Sequence, residues 1–254
     1  MNDFDNIAHF ENIVLLIDAD NTSYTRIQDV MREISTRGRI VVKRAYGNWK
    51  KEALKNWEEE TKKLAIKPVQ VFDYVTGKNA TDMALVIDAI HLLNNNMYDA
   101  FVIVSSDSDY TPLAIDLHES GVYVIGIGEQ KKSTDAFRNS CDEFVFIENL
   151  VTPVPDSGGK PSPNETVSEK DDPDSSVAEI HNLIKIAYDT YQDDDGLTNI
   201  GYAGHYIKRA KPDFDVRTYG FKKLSKFMEA FPEKYALVKY PTSGGTSAIY
   251  YRCK

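Results

Sequence analysis

The sequence predicts two folded modules: a doubly wound parallel α/β module followed by a smaller α+β domain. Three observations carry this. Up to residue 150, short apolar runs rich in Val and Ile alternate with stretches of helical periodicity, the pattern of a parallel sheet with crossover helices. Residues 152–175 then hold five of the ten prolines among Ser, Gly, Asp and Glu, the composition of a disordered linker. From Val177 onward, three helical patterns precede two alternating strands joined by a Gly-Gly turn. The expected boundaries are 1–150, a linker at 151–176, and 177–254.

Composition narrows the class. A chain of 254 residues can bury one or two ample cores, and its 42% hydrophobic and 27% charged fractions are those of an ordinary globular protein. No apolar run approaches the roughly 18–20 residues that span a bilayer. The acidic start, Met1-Asn-Asp-Phe-Asp-Asn6, lacks the basic and apolar regions of a signal peptide. Cys141 and Cys253 are too few and too far apart for a disulfide framework or a zinc site. A cytoplasmic protein with no membrane partner is expected. The net charge of −9 is uneven: residues 1–150 carry 16 basic and 24 acidic side chains, whereas residues 176–254 carry 12 and 9. An acidic front and a mildly basic back suggest modules with different partners.

The first strand is Ile13-Val-Leu-Leu-Ile17, which runs into Asp18-Ala-Asp20-Asn21-Thr22. Ligands gather at the carboxyl ends of strands in open α/β sheets, so Asp18 and Asp20 are expected at the rim where a site forms. Asp20 or Asn21 could instead only cap the next helix. Ile27, Val30, Met31 and Ile34 give that helix, over 24–36, its apolar spacing, and Gly38 ends it. Ile40–Tyr46 is a second strand, 49–64 a second helix and Lys67–Asp73 a third strand. Arg44, Trp49, Lys50 and Lys51 could hold a nucleic-acid backbone and stack a base; alternatively Trp49 is core and the cations are a solvated face.

Gly77 and Lys78 mark a loop before a helix over Ala80–Leu93. Asp82 falls in its first turn, near the rim. Asp88 lies six residues on, about 240° around the helix, and cannot face the same spot, so its part is supporting or structural. The fourth strand, Ala100–Val104, delivers Ser105-Ser106-Asp107-Ser108-Asp109-Tyr110, a second Asp-x-Asp at a strand end. Ser106 or Ser108 could hold a phosphate or cap the helix over 111–120. A fifth strand over 122–127, a short helix over 133–139 and a last strand over 143–147 complete the module.

Neighbouring rims could bring Asp18, Asp82, Asp107 and Asp109 within a few ångströms. Like charges so close raise one another's pKa, and a hard cation relieves the repulsion. Oxygen ligands suit Mg²⁺ or Mn²⁺, ions that serve phosphodiester cleavage by activating water and stabilising the leaving oxygen.

The set Leu16-Ile-Asp18-Ala-Asp20-Asn21, Lys78-Asn-Ala-Thr-Asp82-Met-Ala-Leu-Val-Ile-Asp88, Val104-Ser-Ser-Asp107-Ser-Asp109-Tyr110 and Ala136-Phe-Arg-Asn-Ser-Cys-Asp-Glu-Phe144 resembles the NYN (LabA-like) branch of the PIN-like nucleases. The resemblance implies a Rossmann-like sheet of order 3-2-1-4-5 and an acidic Mg²⁺-binding ribonuclease centre. By position it makes Asp18, Asp82 and Asp107 metal-site residues with Asp109 as a fourth. Asn21 matches the family's Asn after the first Asp, and Ser106 stands where many relatives have Gly. Asp18-Ala-Asp20-Asn-Thr22 also fits the signature of haloacid-dehalogenase-like phosphatases, in which Asp18 would be the nucleophile and Asp20 the general acid. That alternative leaves Asp82 without a role.

In the second module, Ile180, Leu183, Ile184, Ala187, Tyr188 and Tyr191 mark one helix, 200–210 a second and 218–230 a third. Strands over 235–240 and 248–252 flank a turn with Thr242, Ser243 and Thr246, which gives a winged-helix outline. Gly204-His-Tyr-Ile-Lys-Arg-Ala-Lys-Pro212-Asp-Phe-Asp-Val-Arg217-Thr-Tyr-Gly220 resembles the LOTUS (OST-HTH) domain. That resemblance implies a module for RNA, structured or G-rich. Lys208, Arg209, Lys211, Arg217, Lys222, Lys223 and Lys226 form a surface suited to phosphate, or else a merely solvated face. Tyr206, Tyr219 and Phe221 are expected in the core. The combined expectation is a cytoplasmic, metal-dependent (endo)ribonuclease whose second module holds single-stranded or structured RNA. A catalytically silent RNA-binding adaptor is the alternative from a different class.

Overall fold

The computed structural model describes residues 10–72, 79–150, 173–241 and 247–254. The chain divides into two compact units between Val154 and Pro155. Most of the expected linker (151–172), the loop with Gly77 and Lys78, and the wing tip with Thr242, Ser243 and Thr246 lie outside the described residues.

The first unit contains β1 (Phe10–Asp18), α1 (Ile27–Ser35), β2 (Gly38–Gly47), α2 (Trp57–Lys63), β3 (Lys67–Gln70), α3 (Ala80–Leu93), β4 (Ala100–Val104), α4 (Thr111–Glu119), β5 (Tyr123–Gly128), α5 (Asp135–Ser140) and β6 (Glu143–Phe146). All strands pair in parallel in the order β3-β2-β1-β4-β5-β6. The sheet is Rossmann-like with order 3-2-1-4-5, and the closing strand extends it by one. Residues 13–17 of β1 and 100–104 of β4 are fully buried, as expected for strands covered on both faces. One core packs Ile27, Val30 and Ile34 of α1 and Trp57 of α2 against one face. The other packs Leu85 and Ala89 of α3, Leu113 and Leu117 of α4 and Phe137 of α5 against the opposite face.

The helix expected over 49–64 is shorter than its periodicity suggested. Asn48 closes a turn in which its side-chain oxygen accepts from Lys50 N and its carbonyl from Lys51 N, a 3₁₀ turn covers Glu52–Leu54, and α2 begins only at Trp57. An Asn side chain competing for backbone N–H groups breaks a helical start in this way. Trp49 packs beside the core with its ring N–H on Val69 O, so its observed setting is the packed one.

The second unit contains α6 (Pro173–Tyr191), β7 (Thr198–Asn199), α7 (Ile200–Ala210), α8 (Leu224–Glu229), β8 (Tyr235–Pro241) and β9 (Ser247–Cys253). A three-stranded sheet of order β7-β9-β8 backs the helices. α6 starts at Pro173, inside the expected linker; proline fits a first helical position because its missing N–H has no intrahelical partner to lose. The third helix is also shorter than expected. A 3₁₀ turn at Val216–Tyr219 ends on Gly220 at φ +80°, a left-handed conformation that helices rarely continue through, and α8 restarts at Leu224. Tyr206, Tyr219 and Phe221 pack partly buried against the core of Ile180, Ile184, Phe227 and Tyr251. Cys141 and Cys253 are free thiols. Among the described residues, no helix is long and apolar enough to cross a membrane.

Candidate metal centre

The strand order reverses between β1 and β4, and open α/β sheets form their ligand crevice at such a point. Ile17 pairs with Val104, so the segments that follow the two strands leave the sheet side by side. Asp18 ends β1 and is 0% exposed. Its carboxylate accepts from Asn21 N at 3.2 Å, Asn21 Nδ2 at 2.8 Å and Ser105 Oγ at 2.9 Å. Thr22 adds a second tie between the segments, from its hydroxyl to Val104 O at 3.1 Å. Burial pushes the Asp18 carboxyl up, against the lowering effect of those hydrogen bonds.

After β4, Asp107 caps a 3₁₀ turn over Ser108–Tyr110 by accepting from Asp109 N at 2.9 Å. The side chains of Asp82, Asp107 and Asp109 converge: each offers a carboxylate oxygen, and these lie within 4.8 Å of one another. Asp82 comes from the first turn of α3, where the helix dipole favours an anion. Burial raises its pKa first, and the charges of Asp18, Asp107 and Asp109 raise it further; the hydrogen bond from Tyr110 lowers it. Tyr110 is fully buried, and its hydroxyl donates to Asp82 Oδ1 at 2.9 Å. Burial, then the charges of Asp18 and Asp82, push that hydroxyl far up, so it remains a donor.

The structure thus brings together three of the four expected carboxylates. Asp18 stands behind them, close enough to act on Asp82 electrostatically but not in the group. Asp20 is turned to Lys51 at 3.2 Å and to the Thr81 hydroxyl at 2.7 Å. Asp88 lies elsewhere on α3, held by Arg44 and the Tyr46 hydroxyl. Ser106 is buried and accepts from Glu129 N at 2.8 Å.

Sequence reasoning missed several supports. Asn79 donates to Asp109 Oδ2 at 2.6 Å, Thr81 fixes Asp20, and Ser105 and Tyr110 hold Asp18 and Asp82. Each sits within three residues of a candidate aspartate, which was the one signal available. Beside Asp107 an open pocket of about 600 Å³ is lined by Asn21, Ser23, Ser106, Ser108, Glu129 and Lys132. The donor set suits a hard divalent cation: three carboxylates, all oxygen, with Asp82 and Asp107 half-buried and Asp109 exposed.

Asp18 suits the phosphatase alternative poorly. A nucleophile must meet its phosphate, and this carboxylate is buried under three hydrogen bonds.

In the second unit, Lys208 and Arg209 sit in the last turn of α7, and Lys211 caps it. Arg217 lies in the 3₁₀ turn, Lys222 and Lys223 precede α8, and Lys226 is in α8. Several already hold partners: Arg209 on the Tyr191 hydroxyl, Lys211 on Glu179, Arg217 on Asp215 and Lys226 on Glu229. Such surface pairs are worth at most about 1 kcal/mol and can be exchanged for phosphate.

Residues 12–148 match the family model described as the NYN domain, and residues 172–245 match that of the OST-HTH/LOTUS domain. No curated protein matches the chain. Among solved structures, it is similar to a protein of unknown function from Vibrio parahaemolyticus RIMD 2210633 at 19% identity, over 56% of this chain and 96% of that one, with a TM-score of 0.46. An uncharacterized protein from Nitrosomonas europaea is 28% identical over 41% of this chain and 92% of its own, with a TM-score of 0.29. MurG of Acinetobacter baumannii is 11% identical over 64% and 48%, with a TM-score of 0.37.

Proposed function

We propose that this chain, which belongs to the NYN domain family and carries an OST-HTH/LOTUS domain after it, is a metal-dependent ribonuclease whose second domain binds the RNA. The observation that carries the reading is the convergence of Asp82, Asp107 and Asp109 at the sheet's switch point. These three would hold Mg²⁺ or Mn²⁺, with Asp18 as the buried anchor behind them. When bound there, the cation supplies a water nucleophile at neutral pH and screens charge on the leaving oxygen.

The protein's own residues do the rest. Asn21 and Ser105 fix Asp18, and Asn79 fixes Asp109. The polar pocket beside Asp107 offers a bed for the sugar-phosphate chain. There the Ser106 and Ser108 hydroxyls can donate to a phosphate, and the Lys132 ammonium can leave Glu129 for one. Among the described residues no aromatic side chain lines that pocket, so its described lining suits a backbone better than a stacked base. The basic groups on α7 and before α8 would hold RNA from the second domain.

The test incubates wild type and Asp107→Asn with labelled single-stranded and hairpin RNA in Mn²⁺, Mg²⁺ or EDTA, with a small phosphate ester in parallel. Cleavage by wild type in Mn²⁺ or Mg²⁺, stopped by EDTA and reduced at least about 100-fold by Asp107→Asn, is expected. RNA that is bound but never cut under any metal would establish the adaptor reading instead. Release of phosphate from the small ester with intact RNA would establish the phosphatase.

A further inference from the structure

Tyr110 closes the 3₁₀ turn that follows Asp107 and Asp109. Its ring sits in the core with Leu85, Phe101 and Leu113 and is fully buried. A phenylalanine ring would fill the same apolar volume, so the hydroxyl needs a separate account. A buried hydroxyl without a partner costs about 1–3 kcal/mol. This one donates to Asp82 Oδ1 at 2.9 Å, across from one chain segment to another. Asp82 belongs to α3, whereas Asp107 and Asp109 belong to the segment after β4. The hydrogen bond therefore ties the single carboxylate from α3 to the segment that carries the other two.

We propose that Tyr110 is a positioning residue for the metal centre: its hydroxyl holds the Asp82 carboxylate at Oδ1 and so keeps it turned toward Asp107 and Asp109. This rests on the reading of the three carboxylates as a divalent-cation site. Without the hydroxyl, Asp82 is free to rotate away from two like charges, which is where its repulsion drives it. Hydrogen bonds that orient a metal's ligands typically change affinity about 10–100-fold when lost.

The same unit contains a control of matching chemistry. Tyr46 is also fully buried, and its hydroxyl also donates to an aspartate of α3, here Asp88. Asp88 lies outside the three-carboxylate group and has Arg44 as a second partner. A tyrosine that only secures α3 to the sheet should behave like Tyr46. One that positions a ligand should not.

The experiment titrates the full chain with Mn²⁺, counting free ion by electron paramagnetic resonance, and records thermal melts in EDTA. The proteins are wild type, Asp82→Asn, Tyr110→Phe and Tyr46→Phe. Saturable binding by wild type and its loss in Asp82→Asn are expected. Tyr110→Phe should raise the Mn²⁺ Kd about 10-fold or more, while Tyr46→Phe stays within about twofold of wild type although it too melts lower. A folded Tyr110→Phe with wild-type affinity would overturn the positioning role and leave the cation site standing. Equal weakening by both Tyr→Phe changes would also overturn it, because loosening of α3 would then be the cause. No saturable binding by wild type would remove the cation site and this inference with it.

Discussion

At Asp18 and Asp82 the folded chain works against ionisation. Burial is the first cause for both, and neighbouring carboxylates add to it, most of all at Asp82. A carboxyl whose folded pKa lies above its unfolded value holds its proton more tightly in the folded state. Its contribution to stability is fully present below the unfolded value, near 3.8, and is lost as pH rises through the raised folded value. In EDTA, wild type is therefore expected to lose stability relative to Asp82→Asn as pH climbs from about 4, and Asp82→Asn should melt higher at pH 7. Added Mn²⁺ should raise the wild-type melting temperature and leave that of Asp82→Asn unchanged. Melts of the two proteins across pH, with and without metal, check this; a wild type that gains on the variant as pH rises would show the site prefers to be charged when empty of metal. The proximity of Asp82, Asp107 and Asp109 was legible in the sequence because each sits where a strand or helix meets the rim. The exclusion of Asp88 was legible from the helical angle alone. Tyr110, Ser105, Asn79 and Thr81 were not legible as supports, because their contacts cross between elements and depend on strand register that local pattern does not contain.

Among the elements, the first turn of α3 and the segment after β4 carry the three carboxylates, and glycine lets β5 approach the end of β4. At Gly128, the last residue of β5, an added Cβ would lie 2.7 Å from the carbonyl oxygen of Ser105 and 2.5 Å from Ser133 Oγ. A backbone oxygen cannot swing aside, so the end of β4 would have to move, and Ser105 carries the hydroxyl that holds Asp18. Gly128→Ala is expected to lower stability by about 1–3 kcal/mol, as overpacking does, and to weaken Mn²⁺ binding at the same time. Urea midpoints beside a Mn²⁺ titration check it; lost stability with unchanged affinity would separate the strand end from the site. Strand and helix types were legible wherever periodicity was long, as in α3, whose bounds match the expected Ala80–Leu93. Two helices came out shorter because one polar or glycine residue outweighs an apolar stripe: Asn48 by bonding the backbone, Gly220 by its left-handed φ of +80°. The two-residue β7 escaped notice because it exists only by pairing with β9.

For the molecule as a whole, charge divides the work. The first domain is strongly acidic, and a polyanion approaches it only where a cation or a local lysine offsets the carboxylates. The second domain carries the basic excess, so it should supply most of the salt-sensitive affinity. Lys222 and Lys223 are exposed on the segment before α8. Replacing both with Ala should weaken RNA binding and reduce the slope of log affinity against log salt by about 1–2, with wild-type Mn²⁺ affinity retained. Binding isotherms at several salt concentrations check this; an unchanged slope would place the RNA on another face. The two-domain organisation was legible because composition changes sharply after residue 150, whereas the start of α6 at Pro173 was not, since proline reads as a linker residue until a helix is seen to follow it.

On the proposed mechanism, the acidic centre cuts RNA with water as the attacking group. Cleavage of one labelled RNA in ¹⁸O-water with Mn²⁺, with products resolved by mass spectrometry, for wild type and Asp107→Asn, tests this. One ¹⁸O in each new terminal phosphate, no 2′,3′-cyclic phosphate, and loss of both products and label in Asp107→Asn are expected. Unlabelled cyclic-phosphate ends would mean that the RNA's own 2′-hydroxyl attacked. That result, or cleavage that survives in Asp107→Asn, would rule out a metal-delivered water at this centre.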